Sequence, residues 1–208
     1  MNRFARTMLC VSVALFVTAG CSTSEPGSPI ANPGSQQAPQ TTSPSAANRY
    51  GAPSVSKPLD ATRLLTQPCG ALTKVQLQSL NLAESGTPDT DSAVAKNVGP
   101  SCTFSNSGEG SSVAVSFLTG NKNGLADTYR AHAGGDFSGY WIEATVNGYP
   151  GVFKDSRDNR KDGHCVMNVG ISDTLAFLVI EQDRLGEKSC ERAMQVATFV
   201  VQTLKAGG

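Results

Sequence analysis

The chain is short of histidine, net charge and long apolar runs, and each shortage excludes something. Two histidines among 208 residues cannot build a three-histidine metal site, and they leave little for acid–base chemistry at neutral pH. Basic and acidic residues balance at 17 each, with a sequence pI near 6.7, so the strong basic face of a nucleic-acid binder is missing. No uninterrupted apolar run reaches the roughly 20 residues that a membrane-spanning helix needs.

Residues 1–20 carry Arg3 and Arg6, an apolar stretch from Thr7 to Val17, and then Thr18, Ala19 and Gly20 immediately before Cys21. A basic flank, a short apolar core and a small-residue exit predict an export signal peptide rather than a membrane span. The cysteine after Ala-Gly resembles the lipobox of bacterial lipoproteins, with Thr18 where leucine is usual. That resemblance implies that the Cys21 thiol takes a diacylglyceryl group and anchors the protein on the extracytoplasmic face of the cell membrane. Two acyl chains, at about 0.8 kcal/mol per buried CH2, hold a protein stably on a bilayer. An ordinary secretory signal is the alternative. Loss of residues 1–20 removes Arg3, Arg6 and Cys10, leaving 15 basic residues against 17 acidic, so lipid rather than a basic patch would supply the anchor.

Residues 22–58 contain 7 Pro, 8 Ser and 3 Gly with almost no large apolar side chains. Such a segment cannot bury enough surface to offset the entropy of ordering, which predicts a disordered tether over 21–58 with a span of roughly 35 Å. Tyr50–Pro58 is the part that could instead pack as an extended arm. Residues 59–208 then have the length of one domain with one core.

Within that domain Thr73-Lys-Val-Gln76 has the form of a capping box and predicts a helix with Leu72, Val75, Leu77 and Leu80 on its apolar side. Residues 83–101 read as loop. Alternation at Val113, Val115 and Phe117 predicts a strand over 112–118, paired through a Gly-containing turn with 102–105. A helix follows over 123–132, stopped by Gly134-Gly135. Strands 140–146 and 149–154 meet at Asn147-Gly148, a strong hairpin signal. Strand 165–171 puts Cys165, Met167, Val169 and Ile171 on one face, and its neighbour 175–181 is apolar enough for a central strand. The last helix, 189–205, carries Cys190, Ala193, Met194, Ala197, Val201 and Leu204 as a stripe, with Ser189 as its cap. The order predicts an α+β fold, an antiparallel sheet with helices packed on it.

Apart from Cys10 and Cys21 the cysteines are Cys69, Cys102, Cys165 and Cys190. An even number in an exported chain predicts two disulfides. None of them is close enough in sequence to another to form a zinc knuckle, so no metal is expected. Of three connectivities, Cys69 with Cys190 and Cys102 with Cys165 is the favoured pairing, because the first would clamp both ends of the domain.

Candidate chemistry is sparse. No G-x-S-x-G elbow accompanies His132 or His164, and His132 falls on a helix stripe where packing explains it. Cys165 beside His164 does not make a nucleophile pair, since adjacent strand residues point to opposite faces. The loop 154–163 holds three aspartates among four basic residues, which opposes calcium and suits a solvated tip. Phe137, Tyr140, Trp141 and Tyr149 gather in one region, either as core packing or as the lining of a ligand cleft formed by Tyr140, Trp141 and Tyr149.

Taken together, the segments around Pro68-Cys69, Cys102-Thr-Phe104, Val146-Asn-Gly-Tyr-Pro-Gly151, Cys165-Val-Met-Asn-Val-Gly-Ile-Ser-Asp173 and Ser189-Cys190-Glu-Arg-Ala resemble the actinobacterial lipoproteins of the family called domain of unknown function 3558. Phe104 stands where tryptophan is common in that family. The resemblance implies an address in a mycobacterium-like cell envelope and no catalytic residue. The element order is also similar to Mog1/PsbP-type and sensor-ectodomain folds, by analogy alone. The sequence therefore leads to a non-enzymatic binding or accessory module needing no cofactor and no nucleic acid. Its partner would be an envelope protein. The alternative is a carrier of a lipid or small apolar molecule with a cleft near Trp141, and an envelope hydrolase is the third.

Overall fold

The computed structural model describes residues 48–106, 108–184 and 186–208. The signal segment 1–20, Cys21 and the tether up to residue 47 lie outside the described residues. The elements run α1 Thr62–Thr66, a 3-10 turn Pro68–Ala71, α2 Lys74–Ser79, β1 Thr87–Asp89, α3 Ala93–Asn97, β2 Ser101–Asn106, β3 Ser111–Phe117 and α4 Leu125–Ala133. They continue with β4 Tyr140–Val146, β5 Tyr149–Asp155, β6 His164–Gly170, β7 Ala176–Gln182 and α5 Ser189–Lys205, with 3-10 turns at Arg160–Asp162 and Gly186–Lys188. The seven strands form one antiparallel sheet in the order β1-β2-β3-β7-β6-β5-β4. After β3 the chain crosses by way of α4 to the far edge, and β4 to β7 return as a meander until β7 lies against β3. This is the α+β architecture expected from the sequence.

Period-2 alternation divides the side chains between two faces. One face is the main core: Cys102, Phe104, Val113, Val115, Phe117, Met167, Val169, Phe177 and Val179 are buried against Ala193, Val196, Ala197, Val200, Val201 and Leu204 of α5. Each fully buried Leu, Val or Phe there contributes about 1.5–3 kcal/mol relative to exposure. The rings of Phe117 and Phe177 meet with centroids 6.3 Å apart. The other face carries α4, whose Leu125, Ala126 and Tyr129 pack on Val152. Inside that contact Asn168 donates to the Thr128 hydroxyl at 2.9 Å. On β2 this second face is bare, with Thr103 and Ser105 exposed.

The capping box forms as read: the Gln76 N–H donates to Thr73 Oγ1, and the Thr73 N–H donates to Gln76 Oε1. Asn147 and Gly148 both take positive φ, 50° and 88°, the paired left-handed conformation of a two-residue hairpin turn. Three local readings need correction. Residues 83–101 are not all loop, since they contain β1 and α3, the latter capped by Ser92, which accepts from the Ala95 N–H. Ser189 does not cap α5. Lys188 holds the N-cap position, and the Ser189 hydroxyl is buried in the first turn without a hydrogen-bond partner among the described residues. The segment Arg49–Pro58 is the extended arm: Ala52 and Val55 are buried, Arg49 pairs with Asp173 at 3.1 Å, and the Tyr149 hydroxyl donates to Lys57 O at 2.8 Å.

The disulfides join Cys69 to Cys102 and Cys165 to Cys190, which corrects the expected pairing Cys69–Cys190 and Cys102–Cys165. The reason is the strand order. Cys102 on β2 and Cys165 on β6 are separated by β3 and β7, about 14 Å at the usual strand spacing, beyond the reach of one S–S bond. Cys69 instead lies on the turn that rests against β2, and Cys190 opens α5 where it crosses β6.

Candidate binding face

The three aromatic residues singled out in the sequence do not converge. Tyr140 and Tyr149 point to the α5 side of the sheet, at opposite ends of the β4–β5 hairpin, and Trp141 points to the α4 side. Tyr140 is structural: its hydroxyl accepts from the Val166 N–H at 3.1 Å and lies 3.9 Å from Cys165 Sγ. Tyr149 anchors the arm through Lys57, and Lys205 sits 5.3 Å above its ring.

Trp141 is the centre of a different cluster. The His132 ring stacks on it at 3.9 Å and 5°, Tyr129 meets it edge-on at 4.9 Å and 86°, and Phe137 lies at 6.1 Å and 18°. Tyr129 and His132 come from α4 at helical spacing of three, which brings both to the face that packs on the sheet. Offset and edge-on aromatic contacts of this kind are each worth about 0.5–1.5 kcal/mol beyond area burial. Lys154, opposite Trp141 across the β4–β5 ladder, holds its ammonium 4.5 Å over the Phe137 ring. Burial pushes the Lys154 amine down from its ordinary range, opposed by the Asp155 charge. The Tyr129 hydroxyl donates to Glu143 Oε1 at 3.0 Å. Burial first, then the bond to Glu143 and its charge, push the Tyr129 phenol up. The sequence places Tyr129 and His132 on one stripe of the helix but does not join that stripe to Trp141, and it passes over Glu143, for which the signal available was strand alternation, putting Glu143 on the side of Trp141.

β4 is an edge strand. Among the described residues, only β5 forms hydrogen bonds to its backbone. Ile142 is 46% exposed, and Glu143 and Thr145 are exposed beside it. A shallow cleft of about 380 Å3 opens on the α4 side of this edge, with Tyr129, Glu143, Thr145, Pro53 and Pro150 in its walls.

A second polar cluster is sealed inside the main core. Glu181 is fully buried on β7, opposite Cys165 on β6 and Val113 on β3, with Arg192 Nε 3.5 Å from its Oε1. Arg192 also donates to Leu80 O at 2.8 Å. Among the described residues, neither Glu181 oxygen nor the buried hydroxyls of Ser111 and Ser189 find a hydrogen-bond partner. Burial pushes the Glu181 carboxyl up to about 8, Arg192 pulling against that and Asp183 adding to it.

The histidines serve different neighbours. His132 stacks on Trp141, while His164 meets Asp155 at 3.2 Å through Nε2 and Gln182 at 3.1 Å through Nδ1. In the loop 154–163 Arg160 grips Asp158 through two bonds of 2.8 and 2.5 Å and so holds its carboxyl down at about 2. The described residues contain no group of three or more His, Cys, Asp or Glu side chains placed to hold a metal, and no helix long and apolar enough to cross a membrane.

Comparison with curated proteins and with solved structures returned no match. The family model described as protein of unknown function DUF3558 matches residues 16–203, nearly the whole described domain with both disulfides inside it, and the chain belongs to that family.

Proposed function

We propose that this chain is a lipid-anchored, extracytoplasmic binding or accessory module of the cell envelope that performs no catalysis of its own. The observation that carries the reading is the use of cysteine. All four cysteines of the described domain are joined as disulfides, which persist in oxidising compartments, and Cys21 directly follows Ala19-Gly20 behind a basic flank and a short apolar run. The β4 edge, which only β5 pairs among the described residues, and its aromatic flank supply a surface for a partner. In this reading Cys21 carries the lipid, the Pro- and Ser-rich segment spaces the domain from the bilayer, and the α4 side of the sheet meets the partner.

Detergent phase partition of the full chain, expressed in an actinobacterial host, tests the anchor. The wild type enters the detergent phase with the added mass of acyl groups, and Cys21→Ala stays in the aqueous phase. A wild type that remains aqueous, or a Cys21→Ala protein that still partitions with detergent, overturns the anchor. A hydrolase activity abolished by His132→Ala or His164→Ala overturns the non-enzymatic reading. A lipid that co-purifies with the folded protein and leaves on denaturation turns the module into a carrier.

A further inference from the structure

The two edges of the sheet are built differently. β1 is three residues long and contains Pro88, so it offers almost no ladder to a newcomer. β4 is seven residues long, Tyr-Trp-Ile-Glu-Ala-Thr-Val, with no proline, no glycine and no basic residue. Its composition is that of a good strand. Native sheets ordinarily blunt such an edge with lysine, proline, a bulge or a covering segment, because unpaired N–H and C=O groups are a template for another strand. Here the only charge on the edge is Glu143 at its centre.

We infer that β4 is a docking edge for an extended segment of a partner protein that adds an eighth antiparallel strand and places a lysine or arginine opposite Glu143. The inference rests on the binding-module reading and gives its partner a chemistry. Alternation fixes the pattern. The partner residue opposite Glu143 lies on the α4 side, where the cleft walled by Tyr129, Glu143 and Thr145 receives a long basic side chain. Residues on either side of it turn to the other face and cover Ile142, which is 46% exposed, and Ala144. The next one along faces the Trp141 flank. Backbone hydrogen bonds supply affinity, and the basic and apolar alternation supplies selection.

A second copy of this chain is the poorer occupant. A two-fold pair is antiparallel and self-complementary, and the one register that uses all seven residues of β4 sets Glu143 against Glu143. Like charges directly opposite are destabilising, and a slipped register shortens the ladder.

The test is amide hydrogen exchange on the full chain with two capped synthetic peptides, Ser-Thr-Val-Lys-Val-Phe-Ser and the same sequence with Glu replacing Lys. The Lys peptide slows exchange within Tyr140–Val146 and binds about fivefold tighter than the Glu peptide. Methylating alternate backbone nitrogens of the Lys peptide on its hydrogen-bonding edge abolishes protection. Glu143→Lys reverses the preference between peptides, and Glu143→Gln, which keeps a partner for the Tyr129 hydroxyl, erases it. Unchanged exchange over 140–146 with both peptides overturns the inference, as does a preference that Glu143→Lys leaves intact. So does a dimer in sedimentation whose β4 amides are protected without peptide, which would make the occupant a second copy. These measurements do not depend on the anchor, so their failure leaves the Cys21 partition result standing, and the reverse.

Discussion

Replacing Glu181 by glutamine tests the account of the buried polar cluster through its pH dependence. Glu181 is fully buried, and its carboxyl is pushed from an ordinary 4.5 up to about 8. Below 4.5 the folded and unfolded chains both hold the proton, and stability is indifferent to pH at this residue. Between the two values only the folded chain holds it, so stability falls as pH rises. Above 8 both states are ionised and the whole loss is in place. At about 1.4 kcal/mol per pH unit the loss across the whole window is of order 5 kcal/mol. A glutamine side chain carries no charge in either state, so the substitution removes that slope. Urea unfolding with the disulfides intact, repeated between about pH 5 and 8, reads both profiles. The two proteins should be of similar stability at the acid end, and Glu181→Gln should be several kcal/mol more stable at the alkaline end. The downward-shifted carboxyls Asp60, Asp127 and Asp158 titrate below this window and cancel in the difference. Parallel profiles would refute the reasoning and place the Glu181 charge in a solvated setting.

Peptide mapping without reduction should recover Cys69 linked to Cys102 and Cys165 linked to Cys190, and replacing Cys165 and Cys190 together by Ser should lower stability by about 3 kcal/mol for a loop of 25 residues. Gly99→Ala should cost at least about 2 kcal/mol, measured by thermal unfolding, because φ is +141° and the new Cβ would sit 1.8 Å from Phe117 O. Gly148→Ala, with φ +88° and open space around it, should cost about 1 kcal/mol. Thr73→Ala should cost about 1 kcal/mol by losing the cap of α2. His132→Ala should uncover one face of Trp141, the chain's only tryptophan, and move its emission to longer wavelength.

Local signals were legible wherever a few neighbouring residues decide the outcome. Thr73 and Gln76 cap each other, Asn147-Gly148 turns the hairpin, and the apolar stripe of 189–205 lies on the sheet. β1 and α3 escaped because a three-residue strand with a proline and a five-residue helix are too short to show a period. The disulfide pairing escaped because it depends on which strands are neighbours, and the crossing through α4 inserts β3 and β7 between β2 and β6. Tyr140 and Trp141 looked like one aromatic group, yet consecutive strand residues face opposite ways, and the partners of Trp141 come from a helix that the sequence could not dock. Glu181 was half legible: the alternation of Phe177, Val179 and Glu181 points it inward, but only the neighbours Cys165 and Arg192 show that it is sealed there.

The bridges also set an order of assembly. Cys69 joins the next cysteine along the chain, Cys102, and Cys165 joins the next after it, Cys190. Neither loop encloses or crosses the other. Under the proposed export, with the Cys21 thiol taken by lipid, a chain threaded through a membrane from its N-terminus meets each correct partner among these four as the next thiol to arrive, and the earlier bridge closes before β6 has emerged. An oxidase that pairs thiols in order of appearance is then sufficient. On that proposal, sequential pairing leaves no wrong disulfide for an enzyme to break and reshuffle by thiolate exchange.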